Sequence, residues 1–441
     1  MSGARAGLGW FGIVRLGLVQ FALGAIVMLA TSLLNRLMVV EYGLAAAVPA
    51  GLVAWHYAVQ LSRPLWGHGS DRGRRRTPWI IMGMVLLAGG AMLAVAALDG
   101  LGRGSLIGYA MAIGAFAIIG AGVGAAGTSL LALLATRVAP ERRAAAAAIT
   151  WIMMIIGIVI TAGIAGRLID PFSIERLTMV AGGVTGSAVL IALVGIVGIE
   201  RRGGDPSPGA GASAPVQSFG DALREMLSEP EARHFTAFVF CAMLAYSMQD
   251  LILEPFAGLV FGMTPGQSTQ LSGMQHSGVL LGMILVGIGG SAFGGGTPRV
   301  LRRWIIGGCL GSATALAGLG MATQLGTAAA WPLAANIWLL GFANGVFAVA
   351  AIGAMMSLAG AAGPQREGIR MGVWGAAQAI AFGAGGLIGA VGVDVARALT
   401  GQTEAAFAMV FLAEGALFVV AAGLAVGVGR GAILRHREAL A

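Results

Sequence analysis

The sequence contains no lysine, and charge of either sign is scarce: arginine, aspartate and glutamate together make up 10% of 441 residues. Soluble globular domains carry roughly 25% charged residues, so the composition excludes that class. Cysteine is almost absent as well. Cys241 and Cys309 both fall in apolar stretches, which excludes a disulfide framework and a cysteine metal site. What is abundant is hydrocarbon. Hydrophobic residues reach 57%, with a mean hydropathy of +0.86, and such a surplus of apolar surface needs lipid as solvent. The 73 glycines suit helices that approach closely in a bilayer. A net charge of +8 in a soluble protein suggests a nucleic-acid partner. Here the arginines cluster in short loops between apolar runs, which is a topology signal and points to the lipid bilayer, with no nucleic acid.

About 20 apolar residues cross a bilayer as a helix. Twelve spans are expected on that rule, over 12–34, 46–66, 79–98, 106–136, 144–168 and 178–200, then 233–262, 270–293, 304–324, 331–360, 368–396 and 404–429. The first reads as a retained helix and not a signal peptide, because no small-residue cleavage site follows it. Twelve spans place both termini on one side. Loops on that side hold Arg72, Arg74, Arg75, Arg76, Arg137, Arg142, Arg143, Arg201 and Arg202, among others, whereas the opposite loops hold only Arg36, Arg103, Arg167, Arg176 and Arg397. The arginine excess makes the termini cytoplasmic.

Between the sixth and seventh spans, "RRGGDPSPGAGASAPVQSFG" reads as a flexible cytoplasmic linker. After it, Phe219, Leu223, Met226 and Leu227 recur at helical spacing around Asp221, Arg224 and Glu225. That pattern fits a short amphipathic helix on the membrane surface or a packed linker helix. The expected organisation is therefore a six-helix half over 1–200, a linker over 201–232 and a second six-helix half over 233–441. "RVAPERRA" after the fourth span is echoed by "GAAGPQREG" after the tenth. Parallel six-span halves are the arrangement of major facilitator transporters, and the expected fold class is that all-α polytopic membrane fold.

The loop between spans two and three resembles a major facilitator motif: a Gly, three residues, an Asp-Arg pair, then Gly and basic residues. Gly67, Asp71, Arg72, Gly73, Arg74, Arg75 and Arg76 carry the resemblance, with Gly73 one place early. Its physical reading sets Asp71 near the amino end of the third helix, where the helix dipole favours an anion. The arginines then pair with it and bias one conformation. Simple topological anchoring is the competing reading. The second-half loop, "FGGGTPRVLRRW", has kept glycines and arginines but has no acid.

Ionisable groups inside a span are costly and usually face the bundle interior. His56, Arg63, Asp250, Glu254 and His276 are such groups, accompanied by the amides Gln20, Gln60, Gln249, Gln275, Asn336, Asn344 and Gln378. Gly43 precedes His56 by 13 residues and Gly262 precedes His276 by 14, so the two histidines are candidate pseudo-symmetric positions. A neutral imidazole in hydrocarbon keeps one lone pair and can ligate the magnesium of a tetrapyrrole. It can equally make an interhelical hydrogen bond. Asp250 and Glu254, four apart, share one helical face. They cannot both be ionised and unpaired in lipid, and they serve either as a proton relay or as a structural pair with Arg36 or an amide. Pro255 and Pro265 mark a kink or an end there.

"LLNRLMVVEYGL", "HYAVQLSRPLWGHGSDRGRRRTPW" and "MQDLILEPFAGLVFGMTPGQ" together resemble the PucC/LhaA family of purple phototrophic bacteria, over roughly residues 12–430. That family belongs to the major facilitator superfamily, and its members also bear the name of a bacteriochlorophyll synthase subunit. The resemblance implies assembly of light-harvesting antenna complexes in the intracytoplasmic photosynthetic membrane. It implies bacteriochlorophyll as cargo or bound pigment, and antenna polypeptides, with pigment-synthesis enzymes, as partners. His56, His276, Gln249 and Gln275 are then the candidate pigment contacts, with magnesium at His56. Two other functions stand beside this one. A secondary transporter of a tetrapyrrole or other amphipathic solute would use Asp250 and Glu254 for proton coupling. An enzyme of pigment synthesis would need a phosphate-binding loop, an aspartate-rich diphosphate site or a nucleophile–base pair, and the sequence displays none.

Overall fold

The computed structural model describes residues 8–66 except Pro64, 75–139, 142–200, 228–292, 298–323, 331–361 and 364–427, with Arg224 and Leu325 as single positions. Among these the regular structure is helical throughout. Gly67, Asp71, Arg72, Gly73 and Arg74 of the loop motif lie outside the described residues, as does most of the linker with its expected amphipathic helix.

Helix α1 (Trp10–Glu41) runs beyond the expected first span. It is α-helical over Trp10–Met28 and Leu34–Arg36, with π-helical turns at Leu29–Leu33 and Leu37–Glu41. Arg36, expected in a loop, consequently lies inside a helix at 1% exposure. The wider turn suits a pair five residues apart. Arg36 Nη1 meets Glu41 Oε1 at 2.5 Å, and Nη2 donates to the Met263 carbonyl at 2.6 Å. These contacts compensate a guanidinium that is otherwise cut off from water.

Helix α2 (Ala47–Val59) passes into a 3₁₀ turn at Gln60–Ser62. Then follow α3 (Thr77–Gly102), α4 (Leu106–Arg137), α5 (Arg143–Leu168) and α6 (Ile174–Ile196). The seventh span is split into α7 (Pro230–Asp250) and α8 (Leu253–Phe261). Pro255 explains the break: it has no N–H for the carbonyl four residues earlier, but it fits the first turn of a new helix. The series ends with α9 (Pro265–Ala292), α10 (Pro298–Ala322), α11 (Leu333–Ala361), α12 (Pro364–Thr400) and α13 (Thr403–Ala425). Eleven helices among the described residues are long and apolar enough to cross a membrane, taking α7 and α8 as one. The twelfth segment, α2, has only 13 α-helical residues, because its polar carboxyl end tightens into the 3₁₀ turn.

The carboxyl ends of α1 and α8 close alike. Gly43 (φ 64°) and Gly262 (φ 63°) adopt the left-handed conformation that glycine takes without a Cβ penalty. Leu44 donates to the Met38 carbonyl and Met263 to the Ala257 carbonyl, a six-residue closure in each case. The paired glycines noted in the sequence thus perform one local task.

By contacts the chain divides into two compact units, 1–211 with 257–273, and 212–256 with 274–441. In the first, α1 lies along α5 and α6, α3 along α4 and α6, and α2 on α4. Glu200 reaches back to the amino end of α3. It accepts from the Arg76 amide (2.8 Å), the Thr77 amide (3.0 Å) and the Thr77 hydroxyl (2.5 Å). Arg15 caps the carboxyl end of α6 through the carbonyls of Val194 (2.9 Å) and Val197 (2.5 Å). Asp170 holds the start of α9, accepting from the Thr264 hydroxyl (2.5 Å) and the Gly266 amide (3.1 Å). In the second unit, α10 packs on α11 and α13, and α7 on α12 and α13. Between α9 and α11, Gly278 and Gly282 oppose Gly341 and Gly345, where any methyl group would overlap the facing backbone. Small residues at this spacing let helices in lipid approach closely.

Candidate functional site

Buried polar side chains occur in both units, and in the first unit two of them lie at the end of α2. His56 is 2% exposed and Gln60 is 7% exposed. Hydrogen-bond chemistry fixes their order. Arg63 can only donate, so the Gln60 oxygen faces it. The Gln60 amide nitrogen then faces His56 Nε2 at 2.9 Å, which makes Nε2 the lone-pair nitrogen. Nδ1 carries the hydrogen and donates to the Val53 carbonyl at 3.3 Å. The chain Arg63–Gln60–His56–Val53 therefore runs within one segment, with the Gln60 amide on the His56 Nε2 lone pair. The His56 backbone presses on α4, where a Cβ at Gly120 would lie 2.5 Å from the His56 carbonyl oxygen.

In the second unit, Gln249, Asp250 and Glu254 flank the break between α7 and α8, and further buried polar groups lie on α9, α11 and α13. Gln249 is fully buried, and neither amide atom has a hydrogen-bond partner. Asp250 is half-buried and Glu254 is 3% exposed. On α9, Gln275 is buried and His276 half-buried, and the Gln275 backbone lies under Gly341. On α11, Asn344 accepts from Ser312 at 2.7 Å while its amide nitrogen is unpartnered. Glu414, on α13, is 0% exposed and neither carboxyl oxygen has a partner. Glu414 is absent from the candidate residues of the sequence analysis, although "FLAEGALF" holds a single acid inside an apolar span.

Outside the spans, Glu200 is an anion at the amino end of the third helix. Burial alone would raise its carboxyl, but the Thr77 hydroxyl, the Arg76 and Thr77 amides and the Arg137 charge outweigh this and hold it below the usual range. A separate apolar groove of about 450 Å³ lies between α1, α5 and α6, lined by Phe21, Ile160, Ile164, Met179 and Val184, with Arg176 also on its wall.

Helices of this length, with polar groups at a broken span, define a membrane transporter-type fold. The structure is similar to a bacterial homologue of the human lysosomal transporter Spinster (TM-score 0.67, 15% identity, 95% of this chain and 97% of that one). It is similar as well to a D-xylose-proton symporter (TM-score 0.69, 17% identity, 94% of this chain and 95% of that one). These likenesses show the major facilitator fold. The model of the PUCC protein family matches residues 33–433, and the chain belongs to that family. It is 51% identical to the "Bacteriochlorophyll synthase 44.5 kDa chain" of Rhodobacter capsulatus, over 96% of each chain. It is 30% identical to "Protein PucC" of Cereibacter sphaeroides, over 84% of this chain and 81% of that one. The protein is thus a multi-pass membrane protein of the PUCC family with a transporter fold.

Proposed function

We propose that the protein is an assembly factor for bacterial light-harvesting antenna complexes, and that it binds or delivers bacteriochlorophyll to antenna polypeptides within the photosynthetic membrane. The observation that carries this reading is the 51% identity, over nearly the whole chain, to a protein named for bacteriochlorophyll synthesis. Its transporter fold supports handling of a hydrophobic ligand over synthesis of one. On this reading both termini are cytoplasmic, 1–200 and 233–441 are the two six-helix halves, and 201–232 links them on the cytoplasmic side.

The available ligands can be compared with what the magnesium of bacteriochlorophyll requires, an oxygen or neutral nitrogen lone pair. Gln249 meets this with a buried, unpartnered amide oxygen. His56 meets it only after Gln60 releases Nε2. His276 and Gln275 supply the same donor types on α9. The bound pigment would supply its magnesium as the coordination centre, while these residues orient it and exclude water. The test is pigment extraction from protein purified in mild detergent, with antenna assembly followed in cells lacking the protein. Bound bacteriochlorophyll together with lost antenna assembly supports the reading; pigment-free protein and intact assembly refute it.

A second reading, proton-coupled transport of a tetrapyrrole or other amphipathic solute, is favoured by Asp250 and Glu254 at a broken helix, where transporters bind substrates and coupling ions. It requires solute flux that depends on a proton gradient and is lost in Asp250→Asn.

A further inference from the structure

We propose that Glu414 is a proton-binding site in the middle of the membrane, holding one proton beside Asp250. Glu414 is the central residue of α13, which runs Thr403–Ala425. At about 1.5 Å per residue each end lies about 17 Å away, which puts the carboxyl deep in a hydrocarbon core about 30 Å thick. The side chain is 0% exposed and both its oxygens lack a donor. Neither the Arg36–Glu41 nor the Arg103–Asp99 ion pair supplies a cation to it. A carboxylate sealed from water with neither donor nor counter-ion is among the most unfavourable groups in a membrane protein. A proton removes that charge. One O–H bond forms at a Glu414 carboxyl oxygen, and no other bond changes.

The surroundings favour the proton over other cations. Helix α13 packs against α7, α10 and α12, and Phe256 of α8 packs on its Phe407 and Phe411. Among described side chains these bring Arg233, His234, Cys241, Tyr246 and Asp250 on α7, Glu254 on α8, Arg299, Arg302, Arg303 and Cys309 on α10, and Asp394 and Arg397 on α12. The arginines stand near helix ends, whereas Asp250 is a carboxylate on α7, a helix packed against α13. It bears the same sign and so opposes ionisation of its neighbour. No group of His, Cys, Asp and Glu among the described residues is arranged to hold a metal ion. Asp250 keeps some accessible surface while Glu414 has none, so the proton resides on Glu414. Gln249, next to Asp250 and wholly buried with both amide atoms unpartnered, adds a second unsatisfied polar side chain on α7. Any helix movement that brings water to Glu414 releases its proton, so opening of this unit is linked to pH. The inference does not depend on pigment binding.

Infrared spectroscopy of the purified protein in lipid nanodiscs tests it, because a protonated carboxyl has a carbonyl band well separated from carboxylate bands. The wild-type protein at neutral pH should show such a band, exchanging slowly in D₂O and shifted by ¹³C-glutamate but not by ¹³C-aspartate labelling. Glu414→Gln should remove the band, while Asp250→Asn and Glu254→Gln keep it. Absence of the band from the wild type, a shift only with labelled aspartate, or persistence in Glu414→Gln would each overturn the proposal. The isotope experiment uses only wild-type protein, so a variant that fails to fold does not leave the question open.

Discussion

Replacing Glu200 by alanine strips three hydrogen bonds from the amino end of α3, two from backbone amides and one from the Thr77 hydroxyl. The first N–H groups of a helix have no partner within it, so the Arg76 and Thr77 amides rely on this distant carboxylate. Loss of a capping side chain costs about 0.5–2 kcal/mol, and the half-exposed setting lets water recover part of it. We expect about 1–2 kcal/mol for Glu200→Ala, within that range. Glu200→Gln keeps one acceptor but loses the favourable charge at the helix terminus, about 0.3–1 kcal/mol. Amide hydrogen exchange over residues 76–80 reads the effect directly, because about 1.4 kcal/mol of local stability is tenfold in the opening equilibrium. The pH dependence has a definite sign. The folded carboxyl is held below the ordinary 4.5, so its contribution is full above that value and is lost as pH falls through the lower, folded one. Protection at residues 76–80 should therefore differ between wild type and variant at neutral pH and converge in acid. Unchanged exchange in Glu200→Ala, with helix content intact, would refute the reasoning.

Arg15→Met should fray the end of α6 by about 1 kcal/mol, the scale of a cation at a helix carboxyl terminus, visible as faster proteolysis around residues 194–200. Asp170→Asn weakens the hold on Thr264 and Gly266, and cleavage near residues 262–266 should rise by a factor of several while the helices remain inserted. Gly341→Ala forces a methyl into the Gln275 backbone and should lower membrane abundance sharply, whereas Gly114→Ala, with open space around it, should be neutral or slightly stabilising. Gln60→Leu frees the His56 Nε2 lone pair. Under magnesium ligation at His56 it raises the pigment-to-protein ratio and His56→Leu lowers it. Equal ratios in both variants assign the Arg63–Gln60–His56 chain to packing.

The sequence by itself determined that the chain lives in lipid, and roughly where it crosses. Composition and apolar run length are one-dimensional properties, and helices are the structures that satisfy their own backbone in hydrocarbon. Pro255 and Pro265 likewise announced the break after Asp250 and the start of α9, because a missing N–H acts locally. The paired glycines at 43 and 262 were visible as a spacing, but only the left-handed backbone and the matching six-residue closures gave them a task. Partners were not legible. Glu200 on α3, Arg15 on α6 and Asp170 on α9 join residues 94 to 182 positions apart, and nothing in a periodic pattern encodes such pairs. The same holds for the polar groups. The Gln60 amide on His56 Nε2 and the burial of Glu414 without a hydrogen-bond partner are tertiary facts. Whether a polar group in a membrane is satisfied depends on what the neighbouring turns and helices place within hydrogen-bond reach, and only tertiary structure decides that.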